Sequence, residues 1–139
     1  MRFTKEIVLD RPIERVRVLT SDPAHLHAWQ PDLVSITQHS QTPGAAGATA
    51  TLRYRHGRLE ETVLAANADE RSFRYESRAR THTVSYRYSR LGDDRTLLTY
   101  SDEMRLSGVS RLFAGRITRA ARERAEQGLD RFKAFIDAG

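Results

Sequence analysis

The sequence predicts an α+β fold: a strand, two short helices, an antiparallel strand meander and one long C-terminal helix. Three observations carry that prediction. All four prolines (Pro12, Pro23, Pro31, Pro43) lie in the first third, so the remainder is free to be continuous regular structure. Residues 48–106 alternate polar and apolar, with turn chemistry at short intervals. From about residue 108 to 137, apolar residues recur at spacings of three and four.

The elements follow in order. Residues 3–9, "FTKEIVL", read as the first strand. "DRPIERVRVLTSD" reads as a helix, with Pro12 suited to its first turn and Ile13, Val16 and Leu19 or Thr20 on one stripe. Asp22-Pro23 opens a second short helix that ends near Trp29, before Pro31. "LVSITQ" is a strand and "TPGAAG" a turn. Gly44 and Gly47 precede a strand rather than a helix and no "GK[ST]" follows, so they are not a phosphate loop. About five strands then run as hairpins, turning at Gly57, "NADE" and "GDD". In the last segment Val109, Leu112, Phe113, Ile117, Ala121, Ala125, Leu129, Phe132 and Ile136 form one stripe. Gly108 and Gly115 weaken its first part, where a break is expected.

A chain of 139 residues, 39% hydrophobic, suits one globular domain spanning 1–139. With no cysteine, disulfides, thiolate metal sites and cysteine nucleophiles are excluded together. "MRFTKEIVLD" is polar and alternating, and no apolar run has membrane-spanning length. A cytoplasmic protein without integral membrane association is expected. The net charge is +5, and 21 of the 23 basic residues are arginine. That balance suits either an anionic partner or a solvated face of Arg–Glu pairs.

Position decides more than count. Sorted by parity, one face of the meander collects Leu52, Tyr54, His56, Leu59, Glu61, Val63, Ala65, Phe73, Tyr75, Ser77, Ala79, His82, Val84, Tyr86, Tyr88, Leu98, Tyr100, Asp102 and Met104. All five tyrosines are on it. The other face takes most of the arginines, as in Arg53, Arg74, Arg78, Arg80 and Arg87. A sheet that stacks nucleic-acid bases shows aromatics and basic residues on the same face. Here they are opposed, so no nucleic-acid partner is expected. The tyrosine face needs a cover, and the C-terminal helix has a matching stripe. Yet five hydroxyls, Glu61, Asp102, His56 and His82 are too polar for a plain core. A partly wet cavity between sheet and helix answers both facts.

Several stretches carry a resemblance. "EIVLDRPIERVRVLTSDPAHLHAWQPDL" resembles the first strand, Pro-led helix and Trp-ended second helix of the START-like, or Bet v 1-like (SRPBCC), superfamily. "PGAAGATATLRY" and "LGDDRTLLTY" resemble its Gly-containing turn into the third strand and its Thr-led last strand. Its bacterial branch comprises polyketide cyclase/dehydrase and lipid-transport proteins. The resemblance implies a helix-grip fold, with a curved seven-stranded antiparallel sheet wrapped around the long helix. It also implies a cavity for a small hydrophobic or aromatic molecule, with Trp29 as wall or packing anchor. Aromatase/cyclase members look to use an arginine in the fourth strand and a tyrosine after the Trp motif. The comparable positions here are near Ala65–Ala66 and Ile36, which puts that mechanism in doubt.

The chemistry leaves three readings. Trp29, Tyr54, Tyr75, Tyr86, Tyr88 and Tyr100 would be walls for a bound lipid- or polyketide-like ligand, with Glu61 and Asp102 as polar anchors. Alternatively, Glu61 or Asp102 moves protons as in a cyclase/dehydratase while tyrosines hold an enolate. In the third reading the core is filled and the domain is an interaction module. Three strand spacings put the two acids roughly 14 Å apart, too far for a close dyad. His25, His27, His56 and His82 have no metal spacing and read as surface histidines. There is no "GxSxG", and neither metal nor cofactor is expected. An Arg-rich amphipathic helix also suits a membrane surface, but its stripe is better used on the sheet.

Overall fold

The alternation becomes strand pairing in the computed structural model, which describes residues 1–139. The elements are β1 (Arg2–Leu9), α1 (Ile13–Ser21), a 3-10 turn (Pro23–His25), α2 (Leu26–Trp29), β2 (Leu33–Gln38), β3 (Thr49–Tyr54), β4 (Gly57–Ala66), β5 (Glu70–Glu76), β6 (Arg80–Arg90), β7 (Thr96–Leu106), a 3-10 segment (Gly108–Phe113) and α3 (Ala114–Ala138). One seven-stranded sheet has the order β1-β7-β6-β5-β4-β3-β2, and every pairing is antiparallel. Strands β2 to β7 form a continuous meander, and β1 closes the far edge against β7. Bulges at Leu33/Ser35 and Val63/Ala65 bend the sheet into a curve.

Local chemistry explains the boundaries. Pro12 has no N–H to lose, and its carbonyl accepts from the amides of Arg15 and Val16 to start α1. Pro23 ends α1, and the Asp22 carboxylate accepts from the Ala24 amide at 2.9 Å to cap the next turn. Gly92 lies at φ 79° in the "GDD" hairpin, which favours a residue without Cβ.

Helix α3 lies in the hollow of the sheet, but only its C-terminal half is held there. Leu129, Phe132 and Ile136 are buried. They meet Leu9, Val16, Val84 and Leu98 in one cluster with Tyr88 and Tyr100. Each such side chain stabilises the fold by about 1.5–3 kcal/mol through loss of apolar surface to water. Lys133 fixes the register: its Nζ donates to the Val8 carbonyl at 2.7 Å and to Asp137 at 2.7 Å. Asp137 in turn accepts from the Asp10 amide at 2.8 Å.

Two expectations change here. The start of the helical stripe does not cover the sheet: Val109, Leu112 and Phe113 are 72%, 80% and 52% exposed. Gly108, at φ 61°, opens a 3-10 segment that carries them outward. Ala65 leaves the inner face as well. The β4 bulge pairs it with Ser72, while Val63 keeps Phe73 and Ala66 takes Arg71. On the outer face, Arg74–Glu76, Arg87–Glu70 and Arg58–Glu60 form ion pairs at 2.7, 3.3 and 3.8 Å.

Candidate functional site

The inner face of β3–β6 meets α2 and the end of α3 around a cavity. Its walls include Trp29, Leu52, Phe73, Tyr75, Tyr86, Tyr88 and Phe132, with Glu61 and Arg71 among them. Period-two alternation puts these strand residues on one face, and antiparallel register brings them level. Glu61 is the cross-strand partner of Tyr75, Val63 of Phe73, and Arg71 of Tyr86.

The aromatic walls pack against one another, edge to face for Tyr86–Tyr100 and Tyr86–Phe73, tilted for Tyr86–Phe132 and stacked for Phe73–Tyr75. Tyr86 stands 5.3 Å from Tyr100, 5.7 Å from Phe132 and 6.2 Å from Phe73, measured between ring centroids. Trp29 meets Phe132 at 5.1 Å and 69°. The free volume is about 80 Å³, well below the roughly 300–1,000 Å³ of pockets that enclose drug-sized ligands. A ligand larger than a few heavy atoms therefore enters by parting the walls.

Glu61 is the chemical centre of the cavity. Burial pushes its pKa up, against the opposing pull of the Tyr75 hydroxyl and the Arg71 charge. Burial and then the Glu61 charge push Tyr54 and Tyr75 upward, so both phenols stay protonated as donors. The Tyr54 hydroxyl donates to Gln30 Oε1 at 2.6 Å. Arg71 donates from Nη2 to the Gly44 carbonyl at 3.1 Å. A carboxyl with raised pKa, a neutral phenol and a guanidinium can together orient a carbonyl or hydroxyl, or shuttle a proton.

The expected site residues divide into two groups. Trp29, Glu61, Tyr75, Tyr86 and Tyr88 line this cavity, and Tyr54 borders it through Glu61 and Gln30. Tyr100 and Asp102 do not reach it. Asp102 accepts from the Tyr100 hydroxyl at 3.4 Å and lies 3.1 Å from His82 Nδ1. It lines a separate cleft near Phe3 and Thr118. Its register position opposite Phe3 and Val84 keeps it three strands from Glu61. His82 is accordingly not a surface histidine: its side chain is 15% exposed and paired with that acid. Several wall residues are absent from the sequence candidates, among them Phe73, Phe132 and His25, which was expected at the surface; Arg71 is the cationic one. Its signal was available, since it shares the parity of Phe73 and Tyr75. Its register position is opposite Ala66 on the neighbouring strand. No group of three or more His, Asp or Glu side chains is placed to hold a metal ion.

Comparison with known proteins decides the family. A family model described as polyketide cyclase / dehydrase and lipid transport matches residues 1–136. The chain belongs to the polyketide cyclase/dehydrase and lipid-transport family. The fold of this family member is shared by solved structures at low identity. A START superfamily protein from Mycobacterium smegmatis is 14% identical with a TM-score of 0.79, over 99% of this chain and 97% of that one. A Thermus thermophilus protein is 13% identical with a TM-score of 0.76, over 99% and 98%. The di-domain ARO/CYC protein BexL of the BE-7585A biosynthetic pathway is 11% identical with a TM-score of 0.73, over 100% of this chain and 50% of that one. A comparison with curated proteins gives no match. For this family member the resemblance in sequence and the helix-grip architecture agree over the whole sheet and α3.

Proposed function

We propose that this family member binds and carries a small aromatic or hydrophobic ligand, lipid- or polyketide-like, in the cavity between sheet and α3. The observation that carries the reading is the wall itself. Trp29, Phe73, Tyr75, Tyr86, Tyr88 and Phe132 surround Glu61 and Arg71. Aromatic faces take an apolar ring or chain, and Glu61 and Arg71 take one polar end. Tyr54 and Tyr75 add neutral donors beside Glu61. Asp102 pairs with His82 and Tyr100 outside this cavity and is not among the proposed ligand contacts.

The test uses Trp29, the only tryptophan, as its own reporter. Titration with a naphthol or a medium-chain fatty acid should quench or shift its emission with saturation. Tyr86→Ala and Arg71→Met should weaken binding at least about tenfold. If neither ligand class saturates the signal, and native mass spectrometry of freshly purified protein finds no small molecule, the reading is wrong.

A second reading is a cyclase- or dehydratase-type enzyme with Glu61 as general base. Its support is the half-buried Glu61 carboxyl with raised pKa beside a neutral tyrosine. Turnover of a poly-β-ketone substrate that survives Glu61→Gln would remove it.

A further inference from the structure

The chain's excess charge is concentrated in one place. Six of the 23 basic residues and one of the 18 acidic residues lie in residues 105–124, which leaves 17 of each elsewhere. The whole formal charge of +5 therefore belongs to the end of β7, the 3-10 segment and the first half of α3. These arginines are poorly neutralised. The only ion pair of the segment is Arg105–Glu103, at 3.9 Å with Arg105 83% exposed. Arg122 stacks on Phe3 instead, at 4.9 Å. Arg80 begins β6 with the parity of His82 and so faces α3 rather than the outer face expected of it; burial and then the Arg124 charge push its pKa down, against the opposing pull of Asp102.

The same segment carries the two most exposed large apolar side chains of the protein, Leu112 and Val109, with the half-exposed Phe113 beside them. Val109, Leu112 and Phe113 protrude from the 3-10 segment within this field. The open groove beside them, between α3 and the ends of β4–β6, is lined by five arginines, among them Arg78, Arg80, Arg116 and Arg124, against two acids, Glu60 and Glu76. Water is a poor environment for such a trio, and nothing in the fold covers it.

We propose that residues 105–124 dock the protein on an anionic lipid bilayer, with Val109, Leu112 and Phe113 entering the headgroup region and the surrounding arginines meeting the negative surface. Aliphatic tips set in a ring of cations match that boundary, apolar below and anionic above. A nucleic acid would use the arginines but leave Val109 and Leu112 without a partner, since neither stacks on a base. Docking turns the groove between α3 and the sheet towards the membrane. The proposal stands apart from the identity of the cavity ligand, because vesicle binding needs no ligand in the cavity.

The test is flotation of the whole protein with phosphatidylcholine vesicles, with and without about 30% phosphatidylglycerol. Binding is expected only with the anionic lipid, falling as salt rises. Arg116→Gln with Arg119→Gln should weaken it about fivefold per charge removed. Leu112→Ser with Phe113→Ser should weaken it at least about tenfold. All four side chains are exposed, so thermal melts of both double variants should match the parent and exclude misfolding. Absence of flotation with anionic vesicles overturns the proposal. So does flotation that the Leu112/Phe113 variant leaves intact. A short DNA duplex or an acidic protein bound at least as tightly as the vesicles, and indifferent to Leu112 and Phe113, would assign the arginines to that partner instead.

Discussion

Glu61 on β4 and Tyr75 on β5 are cross-strand partners, and the tyrosine hydroxyl acts on the half-buried carboxyl against the effect of burial. The pair sets a stability cost at neutral pH. Burial raises the folded pKa of Glu61 above its ordinary 4.5. The folded state therefore holds this proton more tightly than the unfolded chain. The contribution to stability is fully present below about pH 4.5 and is lost as pH rises through the folded pKa. Glu61→Gln should raise the melting temperature at pH 7 and give no gain at about pH 4. Thermal melts of parent and variant at both values check this. A gain independent of pH would assign the effect to something other than ionisation.

Ile136 is fully buried where α3 meets β1 and α1. Ile136→Ala should cost about 2–5 kcal/mol, the transfer term plus an unfilled cavity. Leu112→Ala, at 80% exposure, should change stability by less than about 0.5 kcal/mol. Urea unfolding of both variants measures the contrast. A similar loss at both sites would mean that the 3-10 segment is packed in solution.

Thr96 begins β7 with 0% exposure, and its hydroxyl donates to the Arg11 carbonyl at 2.8 Å. That bond ties the last strand to the entry of α1. Thr96→Val keeps the shape but leaves a carbonyl without its donor. A loss of about 1–3 kcal/mol is expected. Denaturant unfolding reads the size of that loss, and a neutral result would show that water reaches Arg11.

Gly44 adopts φ 80°, and a Cβ there would meet the Arg71 guanidinium at 3.3 Å. Gly44→Ala should cost about 1–2 kcal/mol for the left-handed backbone. It should also displace Arg71, which donates to the Gly44 carbonyl, and so weaken ligand binding more than stability. Isothermal titration beside a melt separates the two effects. Unchanged affinity would show that Arg71 holds the loop and not the ligand.

The order of elements was legible because it rests on local chemistry. Four early prolines, the "GDD" and "NADE" turns and the alternation of residues 48–106 lead to the meander without tertiary information. Alternation also placed all five tyrosines together and most arginines opposite, and in the structure Tyr88 and Tyr100 are buried while Arg74 and Arg87 pair with acids outside. Three features needed the third dimension. The β4 bulge moved Ala65 off the inner face and set Arg71 against Ala66, because one inserted residue reverses parity beyond it. Asp102 went to His82 rather than to the cavity, because pairing register and not face alone fixes a side chain's depth along a strand. The helical stripe divided between core and surface, because periodicity states which residues share a side of a helix and only docking decides how much of that side is covered. The sequence thus determined which residues could face inward; the curvature of the sheet and the placement of α3 decided which of them meet.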